Sequence, residues 1–176
     1  MYSNAPIEPI DEANSPEPND RNRDCHDTLP WLISFSLGLR TTIIKLYNIM
    51  SEEIKSLLQT YQRGLNEANL DLVRSVYAKD AVVIGQPFPT ATGIEGIMAL
   101  YADFLSKLDF NVQFDLLELE LSGNLGFIRT RSHGTIVPKG QTPQGSEGNR
   151  EIFIVKKIAD AWKFYRYIFN AEVNPN

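Results

Sequence analysis

Several side chains that could bind an anion or move a proton alternate along the segment LGFIRTRSH, residues 125–133. Alternate residues of a β-strand share one face, and that face would carry Phe127, Arg129, Arg131 and His133. Arginine presents a planar guanidinium group that matches two carboxylate oxygens, and histidine changes its charge near neutral pH. If this face of the strand lines a pocket, it predicts binding of a small carboxylate, with His133 as a candidate general base.

The same residues also have a structural interpretation. The arginines can lie on the outer face of a sheet, or acidic residues of neighbouring strands can neutralise them: Glu118, Glu120 and Glu151. Only an arginine without such a partner indicates a ligand. Glu118 is therefore either a proton acceptor or a partner of the arginines, and His133 is either a base or a hydrogen-bonded structural residue.

The stretch that must position these side chains is REIFIVKKIADAWKFYRYIFN, residues 150–170. Its two halves are rich in branched and aromatic residues and are separated by ADA at residues 159–161, which is typical of a β-hairpin. We expect Arg150, Arg166 and Asn170 to line a pocket.

Alternation along the second strand of this hairpin predicts two faces with different roles. The face directed at the pocket carries Trp162, Phe164, Arg166, Ile168 and Asn170. The opposite face carries Lys163, Tyr165, Tyr167 and Phe169, and its exposed aromatic row predicts an interface with a second subunit.

The rest of the chain predicts three helices followed by long strands. Apolar residues recur at helical spacing in 51–64, 70–77 and 93–105, and strand patterns occupy 81–85, 111–123, 125–137 and the closing hairpin. A loop, 86–93, holds Phe88, and Tyr101 belongs to the third helix; each is either a pocket residue or a core residue. This order predicts an α+β domain in which helices cover one face of a curled antiparallel sheet.

The front of the chain differs in composition. Residues 1–30 are rich in Pro, Asn, Asp and Glu, which predicts disorder, and the interrupted apolar run 31–50 predicts a peripheral helix. Ser51 has the properties of an N-cap, with acidic residues directly after it. We therefore expect residues 1–49 to be a dispensable extension of a domain that spans residues 50–176. No targeting signal is evident, which favours a cytoplasmic protein.

Composition argues against several classes of function. The 176 residues are 43% apolar, enough for one core, and the net charge of −5 disfavours nucleic acid and anionic membranes as partners. The single cysteine, Cys25, cannot form an internal disulfide and has no neighbours that suggest reactivity. With only two histidines, the chain gives no indication of a metal centre.

Three sequence motifs, together with this order of elements, allow a comparison with a known family: YQRGLNEANLDLVRSVYAKDAVVI, TGIEGI and AWKFYRYIFN. In this order they resemble the SnoaL-like branch of the NTF2-like superfamily over residues 51–172. The resemblance implies an NTF2-like cone, in which a curled sheet and three helices enclose a ligand. This fold hosts enzymes, binding modules and assembly domains, so it does not by itself indicate a reaction.

Ketosteroid isomerase is a more distant relative in this resemblance. It implies that Tyr61 stands where the isomerase holds an oxyanion with a tyrosine. The general-base aspartate of the isomerase would fall at Gly85 or Gln86, and neither can serve as that base. The second oxyanion donor would fall near Glu151 or Ile152, and Glu151 could donate only when protonated.

Two hypotheses of function follow. In the first, the protein binds a small molecule in the cone and performs cofactor-free isomerisation, cyclisation or dehydration. Tyr61 is then the proton donor and His133 or Glu118 the acceptor, without a metal. In the second, the domain is a non-catalytic oligomerisation or ligand-sensing module that resembles the association domain of calmodulin-dependent kinase II. Both predict a homodimer.

Overall fold

The structure is a computed structural model that describes the backbone of residues 30–172 and the side chains of residues 40–172. The predicted disorder before residue 30 and the interpretation of Cys25 concern residues outside this range. The residues from Thr42 onwards form a compact unit of their own, and the side-chain contacts that position the site lie within it.

Three helices precede or interrupt the sheet: α1 (Pro30–Asn66), α2 (Leu70–Val76) and α3 (Gly93–Lys107). The predicted helix start at Ser51 is wrong, because α1 passes through that residue without a break. Neither glycine nor proline occurs in residues 39–63, so nothing local ends the helix there. No helix in the described part of the chain has the combination of length and hydrophobicity that a membrane span requires.

Six strands form one sheet: β1 (Tyr77–Gly85), β2 (Ala91–Thr92), β3 (Leu108–Ser122), β4 (Leu125–Pro138), β5 (Glu147–Ile158) and β6 (Ala161–Ala171). Their spatial order is β2-β1-β6-β5-β4-β3. The predicted α+β fold with a curled sheet is confirmed. The sheet is not purely antiparallel, because β1 runs parallel to β6.

A bulge in β6 reverses the faces of the strand midway along its length. Ile154 pairs with Arg166 while Val155 pairs with Phe164, so Tyr165 has no partner on β5. Phe164 and Tyr167 are both buried as a result, although they are three residues apart. The predicted faces of β6 are therefore wrong beyond Tyr165: Tyr167 and Phe169 turn towards the helices, and Ile168 turns away from them.

Helix α1 covers the free edge of the sheet with side-chain amides. β3 is the last strand, and its outward-directed backbone groups would otherwise lack partners. The Asn66 amide donates to the carbonyl of Val112 and accepts from its N–H, both at 2.9 Å. Gln62 accepts from the N–H of Phe114 at 3.1 Å. These bonds fix the distance between α1 and the sheet at the place where a cavity opens.

Candidate functional site

A cavity of about 380 Å³ lies between the helices and the inner face of the sheet, and we call it the cone cavity. Aromatic residues form the largest group in its wall: Tyr61, Phe88, Tyr101, Phe104, Phe110, Phe114, Tyr167 and Phe169. Its polar groups are few: Gln86, Ser132, Glu147, Asn149 and Glu151. An apolar wall with a small number of placed polar groups is the usual composition of a small-molecule site.

Three buried tyrosines form a hydrogen-bonded chain at one side of the cavity. The hydroxyl of Tyr101 lies 2.6 Å from that of Tyr61 and 2.8 Å from that of Tyr77. Burial raises the pKa of Tyr101 to about 12 and raises the pKa of the other two well above 10, so all three keep their protons at neutral pH. The Tyr61 hydroxyl also hydrogen-bonds with that of Tyr167, which links the chain of tyrosines to Glu151.

Glu151 is the titratable group inside this aromatic environment. Its side chain is only 2% exposed and lies on the inner face of β5. Thr130, its neighbour on β4, donates a hydrogen bond to Oε2 at 2.6 Å. The Tyr167 hydroxyl lies 3.5 Å from Oε1.

Burial raises the pKa of Glu151 to about 7, although hydrogen bonds from Thr130, Ser132 and Tyr167 lower it in part. Removing water disfavours the carboxylate more than the neutral acid. The group can therefore both accept and release a proton near neutral pH, as a general acid–base catalyst must.

The structure brings three of the predicted site residues to the cavity and leaves the others outside. Tyr61, Phe88 and Tyr101 line it. The predicted residues that do not line it are Glu118, Arg131, His133, Arg150, Arg166 and Asn170.

The predicted inward orientation of the arginine face on β4 is wrong. The buried side chains of this strand are Ile128, Thr130 and Ser132, which are 0%, 1% and 3% exposed. The alternate set, which includes Arg131 and His133, consequently lies on the outer face.

Most of the outward-facing groups have partners of their own. Glu118 accepts from Arg129 at 2.6 Å, and this pair lowers the pKa of the carboxyl and raises that of the guanidinium. Arg131 lies 3.7 Å from Glu172, and Nδ1 of His133 lies 3.4 Å from Asp115. The structural interpretation of the arginines therefore holds for Arg129 and Glu118, whereas the predicted pairing of an arginine with Glu151 does not occur.

The predicted ligand contacts from the closing hairpin also lie outside. The Arg166 guanidinium stacks on the ring of Tyr165 at 3.6 Å and donates to the carbonyl of Asp80 at 3.2 Å. Asn170 is exposed. Arg150 is exposed as well and makes no hydrogen bond or ion pair with residues in the described range.

Two central residues were missed or only partly foreseen. Glu151 alternates with Phe153 and Val155 along β5, and this apolar neighbourhood on one face could have indicated that its side chain is buried. Tyr167 could not have been placed, because the bulge at Tyr165 has no signal in the sequence. Among the residues that the structure describes, no group of three or more His, Cys, Asp or Glu side chains could hold a metal ion.

A curled sheet closed by helices around an aromatic cavity defines the NTF2-like class of proteins. A model of the SnoaL-like domain matches residues 58–164, more than half of the chain. The chain therefore belongs to the SnoaL-like domain family, as the sequence motifs predicted. No curated protein matches it significantly.

Solved structures support the same fold. A ketosteroid isomerase-like protein from Erwinia carotovora atroseptica is 23% identical, with a TM-score of 0.63 over 69% of this chain and 95% of that one. An NTF2-like protein of unknown function from Shewanella oneidensis is 17% identical, with a TM-score of 0.56 over 68% and 98% of the two chains. A candidate calcium/calmodulin-dependent protein kinase II association domain from Xanthomonas campestris is 19% identical, with a TM-score of 0.55 over 70% and 88%.

Proposed function

We propose that this protein binds a flat, largely apolar small molecule in the cone cavity and catalyses proton transfer on it without a bound cofactor. The observation that carries the proposal is Glu151, a buried carboxyl group with a pKa of about 7 inside an aromatic cavity. Perturbed titration inside a concave, mostly apolar site is typical of a catalytic acid–base group. The reaction class is isomerisation, cyclisation or dehydration of a compound with an enolisable carbonyl.

The proposed reaction assigns one role to each of two cavity residues. Tyr61 donates a hydrogen bond to the carbonyl oxygen of the ligand, which stabilises the negative charge that develops there. Glu151, as the carboxylate, removes a proton from the adjacent carbon, and the electrons of the C–H bond move into the enolate. Glu151 then returns the proton to another carbon, giving an isomer, or to a leaving hydroxyl, giving water.

Gly85 supports this assignment over the mechanism of ketosteroid isomerase. The resemblance places the general base of the isomerase at Gly85 or Gln86. A Cβ atom at Gly85 would lie only 2.1 Å from the ring of Phe169. The aromatic ring therefore fills the space that a side chain at residue 85 would need, and Gln86, which lines the cavity, has an amide that cannot act as a base.

Hydrogen exchange on an enolisable ketone tests the proposal without knowledge of the natural substrate. The full chain is incubated with 2-tetralone in D₂O, and loss of the α-proton signal is followed by NMR. We expect Glu151→Gln to slow the protein-catalysed exchange by about 10²-fold or more. Glu118→Gln, on the outer face, is the matched control and should leave the rate unchanged. Equal rates for wild type and Glu151→Gln would refute the role of Glu151.

A second candidate function, self-association, is favoured by the outer face of the sheet. Ile84, Ile168 and Ile152 are register neighbours on β1, β6 and β5, and they are 43%, 48% and 39% exposed. Beside them Arg150 is free of a partner in the described range, and Glu120 is an exposed acid on β3. We also propose that this face packs against a second copy of the chain. An apolar row with both signs of charge at its margin can complement itself.

A further inference from the structure

The charged side chains of the cone cavity all carry the same sign. Glu147 and Glu151 line it, and within the described range no Lys, Arg or His does. The arginines that would suit a carboxylate ligand lie on the other face of the sheet. A cavity whose charges are all negative repels an anionic ligand and attracts a cation.

The two carboxyl groups are placed at different depths along one strand. They are four residues apart on the same face of β5, which corresponds to about 13 Å at the usual rise of a strand. Glu151 is buried, whereas Glu147 is exposed at the first residue of the strand. The cavity therefore has one carboxyl group in its interior and one at its mouth.

In the described part of the chain, Glu147 has no partner that would neutralise it. It makes no ion pair with any residue whose side chain the structure describes, and its carboxylate is acceptor-only. Arg131 and His133 line a neighbouring hollow to which Glu147 also contributes. They lie beside acids of their own, Glu172 at 3.7 Å and Asp115 at 3.4 Å.

The aromatic wall suits a cation as well as an apolar body. Phe88, in the loop after β1, is 41% exposed and packs on Phe104 with ring centres 4.7 Å apart. Aromatic faces attract ammonium groups electrostatically, most strongly where water is excluded. The cavity thus combines a stacking surface with an unpaired carboxylate at its entrance.

We infer that the ligand of the cone cavity carries an ammonium group, which Glu147 binds at the mouth while the apolar body of the ligand lies against the aromatic wall. This inference rests on the proposed function, in that it names the chemical class of the molecule bound there. A carboxylate-bearing ligand, the class that the sequence predicted, should then bind this cavity weakly.

A charge-matched series of ligands tests this inference. Binding of 2-(2-naphthyl)ethylamine, 2-(2-naphthyl)ethanol and 2-naphthylacetate to the full chain is measured by calorimetry at pH 7.5. We expect the amine to bind about tenfold more tightly than the alcohol, the sum of a partly exposed ion pair and a cation–π contact. The carboxylate should bind most weakly of the three.

Variants assign the effect to Glu147. In Glu147→Gln the preference for the amine over the alcohol should fall to about threefold or less, with the affinity for the alcohol unchanged. Glu118→Gln should keep the full preference, and equal melting temperatures would show that all three proteins are folded.

The outcomes distinguish a failure of this inference from a failure of the proposed function. If the alcohol binds and the amine binds no more tightly, the inference is wrong and the proposed function stands. If Glu147→Gln keeps the full preference, Glu147 is not the recognition group and the inference is again wrong. If none of the three compounds binds, the proposed function fails with it.

Discussion

Glu151 is a carboxyl group held among aromatic side chains, where its charged form loses the water that would solvate it. Thr130 compensates only part of this loss through its hydrogen bond of 2.6 Å. The carboxyl group therefore opposes folding when it is ionised and is tolerated when it is neutral. Carboxyl groups perturbed in this way occur most often at functional sites.

Because ionised Glu151 opposes folding, the free energy of unfolding should depend on pH. The pKa of Glu151 is about 7 in the folded state against an ordinary 4.5, so the neutral acid favours folding below pH 4.5 and this contribution is lost as pH rises towards 7. At about 1.4 kcal/mol per pH unit, the loss amounts to roughly 3 kcal/mol.

Glu151→Gln removes this dependence while keeping the shape of the side chain. Relative to wild type, the variant should gain roughly 3 kcal/mol in its free energy of unfolding between pH 4.5 and pH 8. Urea denaturation at both pH values measures the difference, with Glu120→Gln, at an exposed residue without an ion pair in the described range, as the control. Parallel pH profiles for wild type and Glu151→Gln would show that Glu151 titrates normally.

For individual residues, the sequence predicted which side chains could form a site better than it predicted the direction in which those side chains point. Tyr61, Phe88 and Tyr101 were named and line the cavity. Along β4, however, alternation yields two sets of side chains and does not say which set faces inward. The buried set includes Thr130 and Ser132, whose polar side chains favour an exposed position when the sequence is considered alone. They are buried because their hydroxyl groups hydrogen-bond with Glu151.

Among the elements, the strands show where local patterns lose their predictive value. The bulge at Tyr165 shifts the period of β6 by one residue, and a similar shift between Leu116 and Glu118 interrupts β3. A bulge depends on how two paired strands fit each other, which a single strand's sequence does not record. The helices were placed more reliably, except that α1 begins well before Ser51.

The amide bonds between α1 and β3 predict a large effect from one substitution. In Asn66→Ala the N–H and carbonyl of Val112 lose their partners, which should lower the free energy of unfolding by about 1–3 kcal/mol. Asn48→Ala, an exposed amide on the same helix, should change it by less than about 0.5 kcal/mol. Urea unfolding compares the two variants, and equal effects would contradict the role of Asn66.

For the whole molecule, the first question is how many copies assemble. If the isoleucine row on the outer face is the interface, Ile168→Lys should convert a dimer into a monomer, because it places a charge at the centre of the row. Ile158 is similarly exposed, at 39%, but lies at the end of β5 outside the row, so Ile158→Lys is the matched control. Light scattering after size exclusion measures the mass; a wild-type monomer would contradict the proposal.

The second question is whether the domain needs the front of the chain. We propose that residues 1–49 are dispensable for its folding, because Ile43, Ile44 and Leu46 are more than half exposed whereas Ile54 is fully buried. Two observations oppose this proposal: Tyr47 donates a hydrogen bond to the carbonyl of Leu119 at 3.2 Å, and residues 42–49 belong to the same compact unit as the domain. A chain that begins at Met50 should melt within about 4 °C of the full chain, the shift expected for roughly 1 kcal/mol. A much larger drop would show that the segment is part of the domain.

The protonation of Glu151 underlies the proposed function, and it can be measured without any ligand. ¹³C NMR of protein labelled at the glutamate carboxyl carbons follows each group through a pH titration, and Glu151→Gln assigns the signal. The structure predicts a midpoint for Glu151 of about 7. A midpoint near the ordinary value of 4.5 would contradict it and would remove the perturbed titration on which the proposed role of Glu151 rests.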